Sequence, residues 1–136
     1  MMLGMMPNIN SVIDNGEKFV YPDTIPFLEK LISGKHTLYM LTYTTQNSIE
    51  YQLQKVNSSG LAKYFDNIFV VSTPKWQLDL DYKKGIFIDD NPTDLAGLFE
   101  NNPLDIIRIR RANNKYSKTE MPNGIKIKEY SDFSQI

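Results

Sequence analysis

Three groups of residues in this chain are of types that could do chemistry. Thr42 and Thr44 follow the apolar block 37–41, and Lys75 follows the block 68–71 through Ser72-Thr73-Pro74. Asp89, Asp90 and Asp94 follow the block 85–88 in the order Asp89-Asp90-Asn91-Pro92-Thr93-Asp94. A hydroxyl and an ammonium suit a phosphate, the first by hydrogen bond and the second as a point charge. Paired carboxylates at the end of a rigid strand suit a hard, oxygen-seeking cation such as Mg2+. Together they point to phosphoryl chemistry assisted by a metal.

Each residue also has a purely structural reading. Thr42 and Thr44 could cap a following helix, Lys75 could be a solvated surface lysine, and Asp94 could complete a cap begun by Asn91. The doublet Asp89-Asp90 is different. Two adjacent carboxylates directly after buried apolar residues repel each other unless a cation or amides compensate.

Composition narrows the field. The chain has 136 residues with 41% hydrophobic and 23% charged, enough for one domain with its own core. Fifteen Lys+Arg against sixteen Asp+Glu leave a formal charge of −1, which argues against an electrostatic nucleic-acid binder. The absence of cysteine excludes thiolate zinc sites and cysteine nucleophiles, and the single histidine, His36, excludes a histidine-pair site. No run approaches the ~20 apolar residues of a bilayer span. Residues 1–13 lack the basic start and sustained apolar stretch of a secretion signal. The expectation is a cytoplasmic protein without membrane or nucleic-acid partners.

The elements that must position these residues alternate. A helix is expected over 23–33, with Asp23 as N-cap, Ile25, Leu28, Leu31 and Ile32 facing inward, and Ser33-Gly34 as its stop. A strand at 37–41 buried on both faces precedes a helix over about 46–57, with Ile49, Leu53 and Val56 inward and Ser59-Gly60 as its stop. A short turn at 61–65, a buried strand at 68–71 and a strand at 85–88 follow. Asn91-Pro92 opens a helix with Leu95, Leu98 and Phe99 inward, and strands are expected at 106–109 and 125–127. Solid apolar strands alternating with helices imply an α/β fold, a mostly parallel sheet with helices on both faces. In such sheets ligands bind beyond the carboxyl ends of the strands, where the three groups lie.

The series Leu41-Thr42, Lys75 and 87–94 resembles motifs two, three and four of the haloacid dehalogenase (HAD) superfamily. The stretch 60–66, Gly-Leu-Ala-Lys-Tyr-Phe-Asp, is similar to a linker usual in its phosphatases. The resemblance spans about residues 20–134. It implies a three-layer, Rossmann-like fold and a Mg2+-dependent phosphomonoester hydrolase acting on a phosphorylated small molecule or phosphoprotein. Thr42, with Thr44 beside it, would bind the phosphoryl group, Lys75 would steady the phosphate, and Asp90 would hold Mg2+ with Asp89 and Asp94 assisting. Lys83 and Lys84 are alternatives to Lys75.

The family's first motif, a strand ending in Asp-x-Asp that supplies a carboxylate nucleophile, has no counterpart ahead of helix 23–33. Asp14, in Val12-Ile13-Asp14-Asn15-Gly16, offers one carboxylate, in a sequence typical of a turn. The expectation is therefore a poorly structured segment at 1–19 and a core domain at 20–136 that lacks its first central strand. Such a chain would be a truncated or degenerate form with little activity alone, able to self-associate through the unfilled sheet edge. A chain that is the C-terminal part of a longer protein would fit the same pattern. The alternative is a non-catalytic binding module that uses Arg108, Arg110, Arg111, Lys115 and Lys118 as a docking face, although such a run is more often a solvated strand edge. A receiver-like phospho-acceptor domain ranks below both, because its carboxylate pair and lysine would come in the opposite order.

Overall fold

The computed structural model describes residues 20–44, 48–77, 85–101 and 105–136. Expectations that concern 1–19, Asp14, Lys83 or Lys84 lie outside them. The chain divides into two compact units, Met1–Thr73 and Pro74–Ile136. Among the described residues no helix is long and apolar enough to cross a membrane.

The first unit contains helix α1 (Thr24–Ser33), strand β1 (Tyr39–Tyr43), helix α2 (Ile49–Ser58) and strand β2 (Asn67–Val71). The strands pair in parallel, Met40 opposite Ile68 and Thr42 opposite Val70, and Thr44 N–H extends the ladder to Val71 O at 2.9 Å. Strand β1 runs two residues beyond the predicted block, because Thr42 and Tyr43 are of types that suit a pleated surface and pair with Val70 and Val71. Thr42 therefore lies within the strand. Strand β2 was expected to be buried, yet it alternates between half-buried and exposed, and Phe69 is open to solvent.

The helices turn inward most of the residues expected, Ile25, Leu28 and Leu31 on α1 and Val56 on α2, with departures at single positions. On α1, Thr24, Phe27 and Leu28 are buried, which rotates Ile32 outward. Asp23 precedes α1 as foreseen but makes no side-chain cap bond, since its own backbone is already helical. Ser48 caps α2 by accepting from Tyr51 N–H at 3.0 Å, so the helix starts after the predicted residue 46. Gln52 and Val56, one turn apart, face inward, leaving Ile49 and Leu53 exposed. The core is Leu28, Leu38, Met40, Val56 and Leu61, each worth about 1.5–3 kcal/mol when fully buried. Asp66 closes the unit. Its Oδ2 accepts from Leu38 N–H at 2.7 Å, and its own N–H donates to Leu38 O at 2.7 Å.

The stop of α1 falls one residue later than predicted. Gly34 has φ −79°, and Lys35 takes the left-handed conformation at φ 61°. Lys35 N–H reaches Ile32 O and His36 N–H reaches Leu31 O, the paired bonds of a Schellman turn. At the end of α2 the expected residue, Gly60, carries the positive φ of 76°.

The second unit contains strand β3 (Ile86–Asp89), helix α3 (Pro92–Asn101), strand β4 (Asp105–Ile109) and strand β5 (Lys128–Tyr130), in the parallel order β3-β4-β5. Consecutive buried residues in β3 (Phe87, Ile88, Asp89) and β4 (Ile106 to Ile109) mark strands covered on both faces. Strand β5 lies three residues beyond the predicted 125–127. A tight turn at Pro122–Gly124 ends with Ile125 N–H on Pro122 O, and pairing starts only where Lys128 meets Ile107. Asn91 caps α3, its Oδ1 accepting from Thr93 N–H at 3.0 Å with Pro92 at the first helical position. Phe99, expected inward, is half exposed.

Gly97 sits in mid-helix because a Cβ there would overlap the Trp76 indole, which packs directly on the helix backbone. Arg108, expected on a basic docking face or solvated edge, is fully buried instead. Its Nη2 donates to Tyr116 O at 2.9 Å and to Thr119 O, and Arg110 Nε donates to Ser117 O at 2.7 Å. These two arginines bind the β4–β5 connection to the sheet, Arg108 wholly withdrawn from solvent and Arg110 partly exposed. Among the described residues β1 pairs only with β2, and β3 only with β4.

A non-glycine residue in the left-handed region carries roughly 1 kcal/mol of strain. Lys35→Gly is expected to stabilise the chain by about 0.5–1 kcal/mol, and Gly60→Ala to destabilise it by a similar amount. Urea unfolding followed by circular dichroism measures both; a stability loss in Lys35→Gly would contradict the turn geometry.

Candidate functional site

The second unit gathers four of the six residues singled out by sequence. Strand β3 ends in Asp89, whose carboxylate is almost wholly buried. Lys75, in a single helical turn over Lys75–Gln77, reaches it with Nζ 2.6 Å from Asp89 Oδ2. The same Nζ lies 3.7 Å from Asp94 Oδ2, on the first turn of α3. The lysine thus bridges a strand end and a helix start, while Trp76 fixes its turn against Gly97. Asp89 Oδ1 accepts the backbone N–H of Asp90 at 2.7 Å and that of Asn91, more weakly, at 3.4 Å. Both oxygens of Asp89 are therefore engaged.

Asp90 turns another way. Its Oδ2 accepts from Asn114 Nδ2 at 2.8 Å. Asn114 comes from the β4–β5 connection, and no motif in the sequence marked it.

The electrostatics separate the two neighbouring carboxyls. Burial alone would raise both. For Asp89 the Lys75 ammonium outweighs burial and holds the carboxyl well below the usual carboxylate range. For Asp90, burial and the negative charge of Asp89 push the value up to about 6. Asp94 is raised, first by burial, with Lys75 opposing. For Lys75 burial opposes the charged form, but the Asp89 carboxylate prevails and the ammonium is held above its usual value.

The remaining two residues, Thr42 and Thr44, lie in the first unit, both buried. Thr42 Oγ1 accepts from Gln52 Nε2 at 2.7 Å, which leaves the hydroxyl hydrogen to be donated elsewhere. Gln52 was not foreseen either. A polar residue on an otherwise apolar helix face was its only signal.

Asp90 offers a single carboxylate at the strand end, one oxygen of which accepts from Asn114, and is the group that a hard cation could take with water completing its shell. Mg2+ commonly takes one or two carboxylates and keeps several waters. Among the described residues no group of three or more His, Cys, Asp or Glu could hold a metal. Lys75 already occupies Asp89 and Asp94, so Asp90 is the member of the trio without an ammonium beside it. The sequence's own Asp-x-Asp, Asp79-Leu80-Asp81, lies outside the described residues.

No family model matches this sequence. No curated protein matches it either. Among solved structures the chain is similar to the HAD-hydrolase YfnB from Bacillus subtilis, in its orthorhombic form bound to magnesium. The TM-score is 0.65 at 18% identity, covering 88% of this chain and 56% of that one. The chain thus spans little more than half the length of YfnB. At that identity the likeness is one of fold. The chain has the HAD-like α/β fold with parallel strands that its motifs resemble.

Two outcomes are expected from the acidic cluster. Asp90 has a folded-state value above its unfolded value of 3.8, so its contribution to stability is whole below pH 3.8 and is lost as pH rises through about 6. Asp90→Asn escapes that loss. In metal-free buffer it should be more stable than the parent by about 1–2 kcal/mol at pH 7 and no more stable at pH 4. Lys75→Met strands a buried Asp89 carboxylate and should cost about 3–5 kcal/mol. Urea titrations at the two pH values test the first outcome and thermal unfolding the second; equal stabilities throughout would mean the charges are solvated.

Proposed function

We propose that this chain is the HAD-like domain of a Mg2+-dependent phosphomonoester hydrolase, with little or no turnover by itself. The observation that carries the reading is the Lys75–Asp89 pair at 2.6 Å beside an Asp90 of raised pKa, on strand β3 of a HAD-like fold. The magnesium recorded with YfnB adds support.

In this reading Asp90 holds the cation, the remaining positions being water or backbone oxygen. Mg2+, when bound, neutralises charge on phosphoryl oxygens. Lys75 offers its ammonium to a phosphate while it keeps Asp89 ionised. In the first unit Thr42, whose oxygen is taken by Gln52, keeps its hydroxyl hydrogen for donation, which suits the phosphoryl-binding role the resemblance gives it and Thr44. Low activity is expected because residues 1–23 contain no Asp-x-Asp sequence to supply the carboxylate nucleophile that the resemblance calls for. That same lack favours a second reading, a non-catalytic module that keeps the fold and binds an anion. A phosphorylated small molecule or phosphoprotein as substrate, self-association through an unfilled sheet edge, and a cytoplasmic setting belong to this proposal.

The test compares the chain alone with the chain extended by the residues encoded in frame upstream of Met1, each assayed on p-nitrophenyl phosphate with Mg2+. Background hydrolysis by the chain and robust hydrolysis by the extended form are expected, with loss of at least 100-fold in Asp90→Ala of the latter, on the order of one removed catalytic electrostatic group. Robust turnover by the short chain that disappears in Asp14→Asn would overturn the account of the nucleophile. An inactive extended form that binds phosphate would favour the non-catalytic module.

A further inference from the structure

We infer that Asn114 is a positioning residue for Asp90, and that the β4–β5 connection is built to hold it there. The inference rests on the reading of Asp90 as the cation ligand. Asn114 is 8% exposed and uses both ends of its amide: Oδ1 accepts Tyr116 N–H at 2.8 Å, and Nδ2 donates to Asp90 Oδ2 at 2.8 Å. The first bond decides the second, because an amide whose oxygen is held by a backbone N–H must present its NH2 group to the carboxylate.

The turn itself is anchored from beneath. Arg108 of β4, fully buried, donates to Tyr116 O and Thr119 O, and Arg110 donates to Ser117 O. Ser117 N–H donates to Asn114 O at 3.0 Å, tightening the same turn. Desolvating an arginine is costly, and here the carbonyls of Tyr116 and Thr119 and the Glu129 carboxylate compensate it, so the connection and the arginine hold each other in place. The result is a rigid donor that occupies one oxygen of Asp90 and fixes the direction of the other. Hydrogen bonds of this kind to a metal-ligating side chain typically set its affinity by 10–100-fold.

Isothermal calorimetry with Mg2+ on the parent chain, Asn114→Ala and Asn114→Asp tests the assignment, with thermal unfolding in EDTA run on each. Asn114→Ala should bind Mg2+ at least 10-fold more weakly than the parent. Asn114→Asp keeps the acceptor for Tyr116 N–H, and so the turn, but sets a carboxylate against Asp90. It should unfold at lower temperature in EDTA and recover more than the parent does on adding Mg2+. A merely structural Asn114 would also lose stability in Asn114→Asp but would leave its recovery on adding Mg2+ equal to the parent's, and that result overturns the inference even if Asn114→Ala fails to fold. Parent-like Mg2+ affinity in Asn114→Ala overturns the positioning role alone. Absence of Mg2+ binding by the parent chain overturns the cation reading of Asp90, and the positioning role with it.

Discussion

An ammonium buried between two carboxylates organises the second unit of this protein. Lys75 Nζ stands 2.6 Å from Asp89 and 3.7 Å from Asp94, with all three side chains withdrawn from water. A buried ion pair of this kind contributes little net stability, since desolvation offsets most of the attraction. Its consequence is positional. Removing Lys75 strands the Asp89 carboxylate and removing Asp89 strands the ammonium, so the end of β3 and the turn at Lys75–Gln77 are obliged to stay together, with Asp94 at the start of α3 drawn to the same ammonium. The Trp76 indole on Gly97 reinforces that arrangement by packing where any side chain on the helix would intrude.

The same pair sets the chemistry of its neighbour. Once Lys75 keeps Asp89 ionised, the adjacent Asp90 meets a negative charge in a desolvated setting, and its proton is harder to remove. Two carboxyls adjacent in sequence thus have opposite tendencies. One is committed to an internal ammonium, while the other is costly to ionise until something positive binds. Both carboxyls stand at the end of β3 in a HAD-like fold.

The first unit solves a smaller version of the same problem. Thr42 is buried in a strand where its hydroxyl needs a partner, and Gln52 supplies one from α2 by donating to the oxygen. The hydroxyl is therefore directed to act as a donor. Asp66 does for the backbone what Gln52 does for the side chain, satisfying Leu38 N–H where the chain enters β1.

Much of this was legible in the residues alone. Apolar blocks ending in Thr42 and Asp89 marked parallel strands, Asn91-Pro92 marked the start of α3, and the acidic doublet marked the cluster, because strand burial, capping and like-charge repulsion act over neighbouring positions. On α1 and α2 the expected Ile25, Leu28, Leu31 and Val56 do meet the core, but Ile32, Ile49 and Leu53 do not, since which residue turns inward depends on the partner that the helix meets: Gln52 displaced Leu53 because Thr42 required a donor. The bonds made by Asn114, Asp66 and the buried Arg108 were invisible for the same reason. Their partners lie 24, 28 and 8 to 21 residues away, and a polar side chain has no local pattern until the fold delivers its counterpart. The sequence by itself determined the strand–helix alternation and the types of group placed at the strand ends. Tertiary structure alone decided which carboxylate faces the lysine and which faces an amide, because charge pairing is settled by distance in space.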